Sequence, residues 1–136
     1  MNQPQYYQKN LMIVDDDPDI VYSLQQLFEL EGFIVTTADN GRNCLLELEK
    51  GFQGIIILDI MMPVMDGVET IKKMTIDGFI DENTIIVLTA KRIQGEEFNE
   101  IYPYIADYIT KPFDITTLIQ TVKKIAQKPP MKRKFQ

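Results

Sequence analysis

The chain has 136 residues, 45% of them apolar, with one cysteine, no histidine and a net charge of −6. That length suits one domain with a single buried core, and the acidic balance excludes a general nucleic-acid binder, which needs a basic surface to neutralise phosphates. Cys44 alone cannot close an internal disulfide, and the lack of histidine excludes triad-type hydrolases, histidine-based zinc sites and phosphohistidine chemistry within the chain.

Met1 to Asn10 is polar and lacks the apolar core of a signal peptide. No apolar run approaches the length that spans a bilayer. Residues 1–9 are therefore expected to be a polar extension, on a cytoplasmic protein with no membrane role. Leu11-Met12-Ile13-Val14 reads as a buried strand that runs into Asp15, Asp16 and Asp17. Asp17-Pro18 supplies an N-cap and a proline at the first helical position. Ile20, Leu24, Leu27 and Phe28 then share one helical face, and Gly32 ends the segment.

Phe33 to Ala38 reads as a second strand, and Asn40 caps a second helix bearing Leu45 and Leu48 up to Gly51. Residues 54–59 form a nearly continuous apolar strand ending in Asp59, as expected where both sheet faces are covered. A loop from Met62-Pro63 to Asp66-Gly67 leads into a third helix with Val68, Ile71 and Met74 inward, ended near Gly78. Thr84 to Thr89 is the fourth strand. Ile93, Phe98 and Ile101 suggest a weak fourth helix with Gly95 inside it and Pro103 closing it. Asp107 to Thr110 is the fifth strand, running into Lys111 and Pro112. The final helix spans Asp114 to about Gln127 with Ile115, Leu118, Ile119, Val122 and Ile125 inward. Five strands alternating with five helices predict an α/β doubly wound parallel sheet over residues 10–127. Residues 128–136, with Lys132, Arg133 and Lys134, read as a basic tail or the stub of a linker.

Ligands in an open parallel sheet sit outside the carboxyl ends of the strands. There this sequence puts Asp15, Asp16, Asp59, Thr89 and Lys111. Oxygen-only ligands favour magnesium, manganese or calcium over zinc or copper, and a pocket with so few carboxylates suits magnesium, with manganese able to replace it. Two carboxylates ~4 Å apart repel by about 4 kcal/mol at an effective dielectric near 20, and a cation relieves that repulsion. Asp59 is the candidate nucleophile for an acyl phosphate. Lys111 and the Thr89 hydroxyl would hold phosphoryl oxygens, and the small Ala90 leaves room for them.

The motifs VDDDPD, LDIMMPVMDG, VLTA and DYITKPF, in this order and spacing, resemble a response-regulator receiver domain (CheY-like) of two-component signalling, over about residues 10–127. The resemblance implies a flavodoxin-like (βα)5 three-layer sandwich of strand order 2-1-3-4-5. It implies that Asp59 takes a phosphoryl group from the phosphohistidine of a histidine kinase or phosphotransfer protein. Asp16 and Asp59 would bind Mg²⁺ with the Met61 backbone carbonyl, and Asp15 would act largely through water. Thr89 and Tyr108 match the switch pair, which alters the surface of the fourth helix, fifth strand and fifth helix for a downstream target. Lys111-Pro112 matches the phosphate-binding lysine and its often cis proline. Met61 and Lys91 occupy positions that tune loss of the phosphoryl group.

The residues also permit other readings. Asp15-Asp16-Asp17 resembles the nucleophile strand of haloacid-dehalogenase-type phosphatases, with Asp15 attacking, but Asp19 replaces the expected threonine or valine and no cap segment is evident. A pseudo-receiver that binds partners without phosphate is a third reading. The Met61, Met62 and Met65 group lacks soft-ligand neighbours and reads as loop packing. Tyr104-Ile105-Ala106-Asp107 departs from the family's usual Gly-Ala before the acidic residue. Beyond catalysing its own phosphorylation and dephosphorylation, no enzyme activity is expected. A monomer without direct nucleic-acid contact is expected too.

Overall fold

The computed structural model describes residues 6–90 and 95–130. The Ile, Leu and Val runs become strands because branched side chains pack well on a pleated surface covered on both sides. They are β1 (Asn10–Val14), β2 (Ile34–Ala38), β3 (Ile55–Asp59), β4 (Thr84–Thr89) and β5 (Ile105–Thr110). All pair in parallel, in the order β2-β1-β3-β4-β5. β3 is buried throughout, whereas the edge strands β2 and β5 are exposed or half-buried apart from Ala38. The register sets Asp59 beside Leu88 and Thr89 beside Thr110, so the functional strand ends share one rim.

A helix follows each strand: α1 (Pro18–Leu30), α2 (Gly41–Glu49), α3 (Gly67–Asp77), α4 (Glu96–Ile101) and α5 (Ile115–Ala126). Asp17, Asn40, Asp66 and Asp114 each accept a backbone N–H from the first turn of the helix that follows, which satisfies one of its orphan donors. Side chains alternate across the sheet and build two cores. Leu11, Ile13, Ile57 and Leu88 pack with α1 and α5 through Leu24, Phe28, Leu118 and Val122. Met12, Ile56, Leu58 and Val87 pack with α2, α3 and α4 through Cys44, Leu48, Ile71 and Ile101. The result is the expected five-stranded three-layer sandwich.

Details differ from the sequence expectation. Gly95 does not interrupt the fourth helix but precedes it at φ +102, and Pro103 lies in a 3-10 turn (Tyr102–Tyr104) that continues α4. Ile93 lies outside the described residues. Ile115, expected inward, is exposed because the helix begins at the open rim, and Ala126 fills the buried position at its other end. β5 begins two residues early and skips Ala106 in its pairing, a bulge between Ile85 and Ile86 on the neighbouring strand.

The polar extension packs onto the body from Tyr6 onward. The Tyr6 ring stacks on Phe33 at 4.5 Å and its hydroxyl donates to the Glu31 carbonyl at 2.9 Å. The Tyr7 and Gln8 amides both donate to the Ala126 carbonyl at the end of α5. Among the described residues, no helix is long and apolar enough to cross a membrane.

Candidate functional site

The β1 and β3 ends bring Asp15, Asp16 and Asp59 together, with one oxygen of each lying within 4.8 Å of the others. Asp15 and Asp59 are buried and Asp16 is exposed, because successive residues leaving a strand point to opposite sides. Asp15 is fixed by two donors: the Asp17 N–H at 2.9 Å on Oδ1 and the Lys111 ammonium at 2.9 Å on Oδ2. The same ammonium lies 3.4 Å from Asp59 Oδ2, and the Met61 N–H donates to Asp59 Oδ1 at 3.1 Å. Lys111 thus bridges two buried carboxylates.

One ammonium does not neutralise this cluster. Burial, then the charge of Asp15, pushes the Asp59 carboxyl up to about 6, against the lowering effects of Lys111 and the Met61 N–H. For Lys111, burial pulls the pKa down, but the hydrogen bond and charge of Asp15, followed by those of Asp59, carry it above the ordinary lysine value. Three carboxylates with an excess of negative charge and no nitrogen or sulfur donor fit a hard divalent cation such as Mg²⁺.

Thr89 is buried at the end of β4, and its carbonyl accepts the Lys111 N–H at 2.7 Å, which locks the β4 and β5 ends together. Ala90 follows it in an exposed position. The Lys111-Pro112 peptide is cis, as the sequence motif implied. Lys91 lies outside the described residues. Met61 is exposed and contributes its amide to the site, while its side chain points no polar group at it. Tyr108 on β5 is half-buried, with its ring 6.1 Å from Phe98 of α4, and Phe98 in turn lies 5.4 Å from Tyr102. The proposed switch residue therefore touches the short helix beside it.

An open groove of about 620 Å³ leads from Asp15 and Asp16 outward between α1 and α2, past Tyr22 and Leu46. Sequence reasoning missed two backbone anchors, the Asp17 and Met61 amides, because amide direction has no residue signature. It also missed the buried Thr70, which donates to the Asp66 carbonyl at 2.7 Å. A threonine on a helix does not stand out as part of an apolar stripe. Cys44 is fully buried, and burial pushes its thiol up to about 12, which leaves it a core residue.

Comparison with known proteins agrees with this geometry. The response regulator receiver domain model matches residues 11–123. The "Transcriptional regulatory protein CpxR homolog" of Haemophilus influenzae is 34% identical over 121 residues, 87% of this chain and 50% of that protein. The chain thus spans about half the length of this relative and of the Bacillus subtilis "Alkaline phosphatase synthesis transcriptional regulatory protein PhoP". An uncharacterised 14.6 kDa protein of Leptolyngbya boryana is 34% identical over 86% of this chain and 89% of its own length. Among solved structures, a CheY-like receiver domain protein from Methanospirillum hungatei superposes with a TM-score of 0.80 at 38% identity, covering 86% of this chain and 93% of that one. Another, response regulator TrrA of Thermotoga maritima in complex with Mg²⁺ and BeF, gives 0.71 at 29% identity, covering 86% and 98%. Strand order, acidic rim and family match converge, and the chain belongs to the response-regulator receiver family.

Proposed function

We propose that this receiver accepts a phosphoryl group on Asp59 from the phosphohistidine of a histidine kinase or phosphotransfer protein, in an Mg²⁺-dependent reaction. The observation that carries this reading is the Lys111 bridge, 2.9 Å from Asp15 and 3.4 Å from Asp59, within a cluster that still carries excess negative charge. An Asp59 oxygen forms the new P–O bond as the P–N bond to the donor imidazole breaks. Such transfer depends on positioning and charge neutralisation more than on covalent assistance. Bound Mg²⁺ would neutralise charge on the phosphoryl oxygens, with Asp16, Asp59 and the Met61 carbonyl as its protein ligands and Asp15 acting largely through water. Lys111 would release part of its contact with the carboxylates to pair with a phosphoryl oxygen. The Thr89 hydroxyl would hydrogen-bond another, and Ala90 would leave space beside them.

Movement of Thr89 toward the phosphoryl group and of the Tyr108 ring inward would then shift the contact with Phe98, altering the surface of α4, β5 and α5 that a downstream protein reads. The protein acts in this reading as a cytoplasmic, monomeric switch. Met61 and Lys91 set how readily water removes the phosphoryl group. The family match favours Asp59 over a phosphatase with Asp15 as nucleophile.

Intact mass after incubation with acetyl phosphate tests the proposal. The wild type should gain one phosphoryl group with Mg²⁺ and none without it, and Asp59→Ala should gain none. No gain in the wild type would favour a phosphorylation-independent binding module. A gain retained in Asp59→Ala but lost in Asp15→Ala would favour the phosphatase.

A further inference from the structure

The loop that carries Met61 leaves β3 and returns to α3, and it is pinned at two places. At one, the Gly67 N–H donates to the Ile60 carbonyl at 2.9 Å, and a Cβ on Gly67 would lie 2.7 Å from Ile60 Cα. At the other, the loop rests on a different helix. The Gly41 N–H, at the start of α2, donates to the Met65 carbonyl at 3.3 Å. A Cβ on Gly41 would lie 2.8 Å from that same carbonyl oxygen and would overlap the Thr70 hydroxyl. Thr70 cannot turn away freely, since it is fully buried and donates to Asp66, the capping residue of α3. Gly41 is not in a left-handed conformation, so backbone freedom does not demand glycine here. Space does.

We infer that the contact of Gly41 with Met65 and Thr70 is a positioning device for the metal site. It makes the first turn of α2 the wall against which the β3–α3 loop is set. The inference rests on the proposed Mg²⁺-dependent function and deepens it. The path is short. Met65 donates its N–H to the Pro63 carbonyl across Val64, which is held at φ +71. A non-glycine residue there leaves the loop little slack to absorb a push at Met65. Displacement is instead passed toward Met61, whose N–H orients Asp59 at 3.1 Å. Residues that orient metal ligands typically change affinity by about 10-fold or more when altered.

The test is titration with MgCl₂ alone, followed through the backbone amide shifts of Asp59 and Met61 in the full chain. Gly41→Ala should weaken Mg²⁺ binding by about ten-fold, and Thr70→Leu, which intrudes on the same contact from α3, should do likewise. Thr70→Ala in the Gly41→Ala background removes the overlapping hydroxyl but leaves the Met65 carbonyl oxygen 2.8 Å from the new Cβ, so it should recover only part of the affinity. Val122→Ala, in the opposite core, should lower the melting temperature without weakening binding, which separates positioning from general destabilisation. If Gly41→Ala does not fold, Thr70→Leu and the double variant carry the test. Folded single variants within about two-fold of wild type, or full recovery in the double variant, would overturn the inference alone. A wild type that binds no Mg²⁺ would overturn the reading of the site as well.

Discussion

Asp59 is held in a state that costs stability without a cation. Its carboxyl, ordinarily near 3.8, is raised to about 6 by burial and by Asp15. The folded protein therefore holds a proton that the unfolded chain releases, and stability falls as pH rises from about 4 to about 6, then levels off. Asp59→Asn lacks this loss. Without divalent cation at pH 7 it should be more stable than wild type by on the order of 2 kcal/mol, and the gap should close below about pH 4. Urea unfolding at several pH values measures this; a gap independent of pH would contradict it. Added Mg²⁺ should narrow the difference, because a ligand that binds only the folded wild type stabilises it. Asp15, Asp16, Asp59 and Lys111 were legible in the sequence because a charge ending a buried apolar run has no packing role. Their mutual arrangement was not, since Lys111 is 96 residues from Asp15 and only the strand register brings them together.

Among the helices, α4 is the least supported. It has six residues, Gly95 in place of a capping side chain, and Ile101 as its one fully buried residue. Short helices depend on tertiary contacts rather than on their own hydrogen bonds. Here those contacts are the Phe98 ring beside Tyr108 and the ion pair of Glu100 with Lys72 on α3, at 3.0 Å. Hydrogen exchange in α4 should be faster than in α1 or α5, and Lys72→Ala should quicken it further while leaving the global unfolding midpoint unchanged. Protection of α4 equal to that of α1 would refute this. The sequence showed this weakness as a glycine in a poor helical pattern, but placed it mid-helix. Periodicity continued across Gly95 through Ile93, whereas the left-handed backbone at Gly95 marks the boundary. The bulge at Ala106 was equally illegible, because a single residue skipped in the pairing has no residue signature of its own.

At the scale of the whole molecule, the alternation of buried runs and capped helices made the three-layer architecture readable, while the attachment of the first residues was not. Tyr6 looked like part of a polar tail, yet it buries its ring against Phe33 and joins the α1 side of the sandwich. Tyr6→Ala should lower stability by about 2 kcal/mol, less than for an aromatic at the centre of a core, because the segment's end can yield. Chemical denaturation would measure it, and an unchanged midpoint would show that the strap carries no weight. The Ala126 carbonyl, shared by the Tyr7 and Gln8 amides, brings the beginning and end of the described body together. They meet at the end of the sheet opposite the acidic rim, about 18 Å away along the twelve residues of α5. The fold is thus nearly a closed ring. Cutting it at the open, exposed turn of Gly51 and joining the old ends should leave the same sandwich, with the chain entering and leaving beside α2 instead.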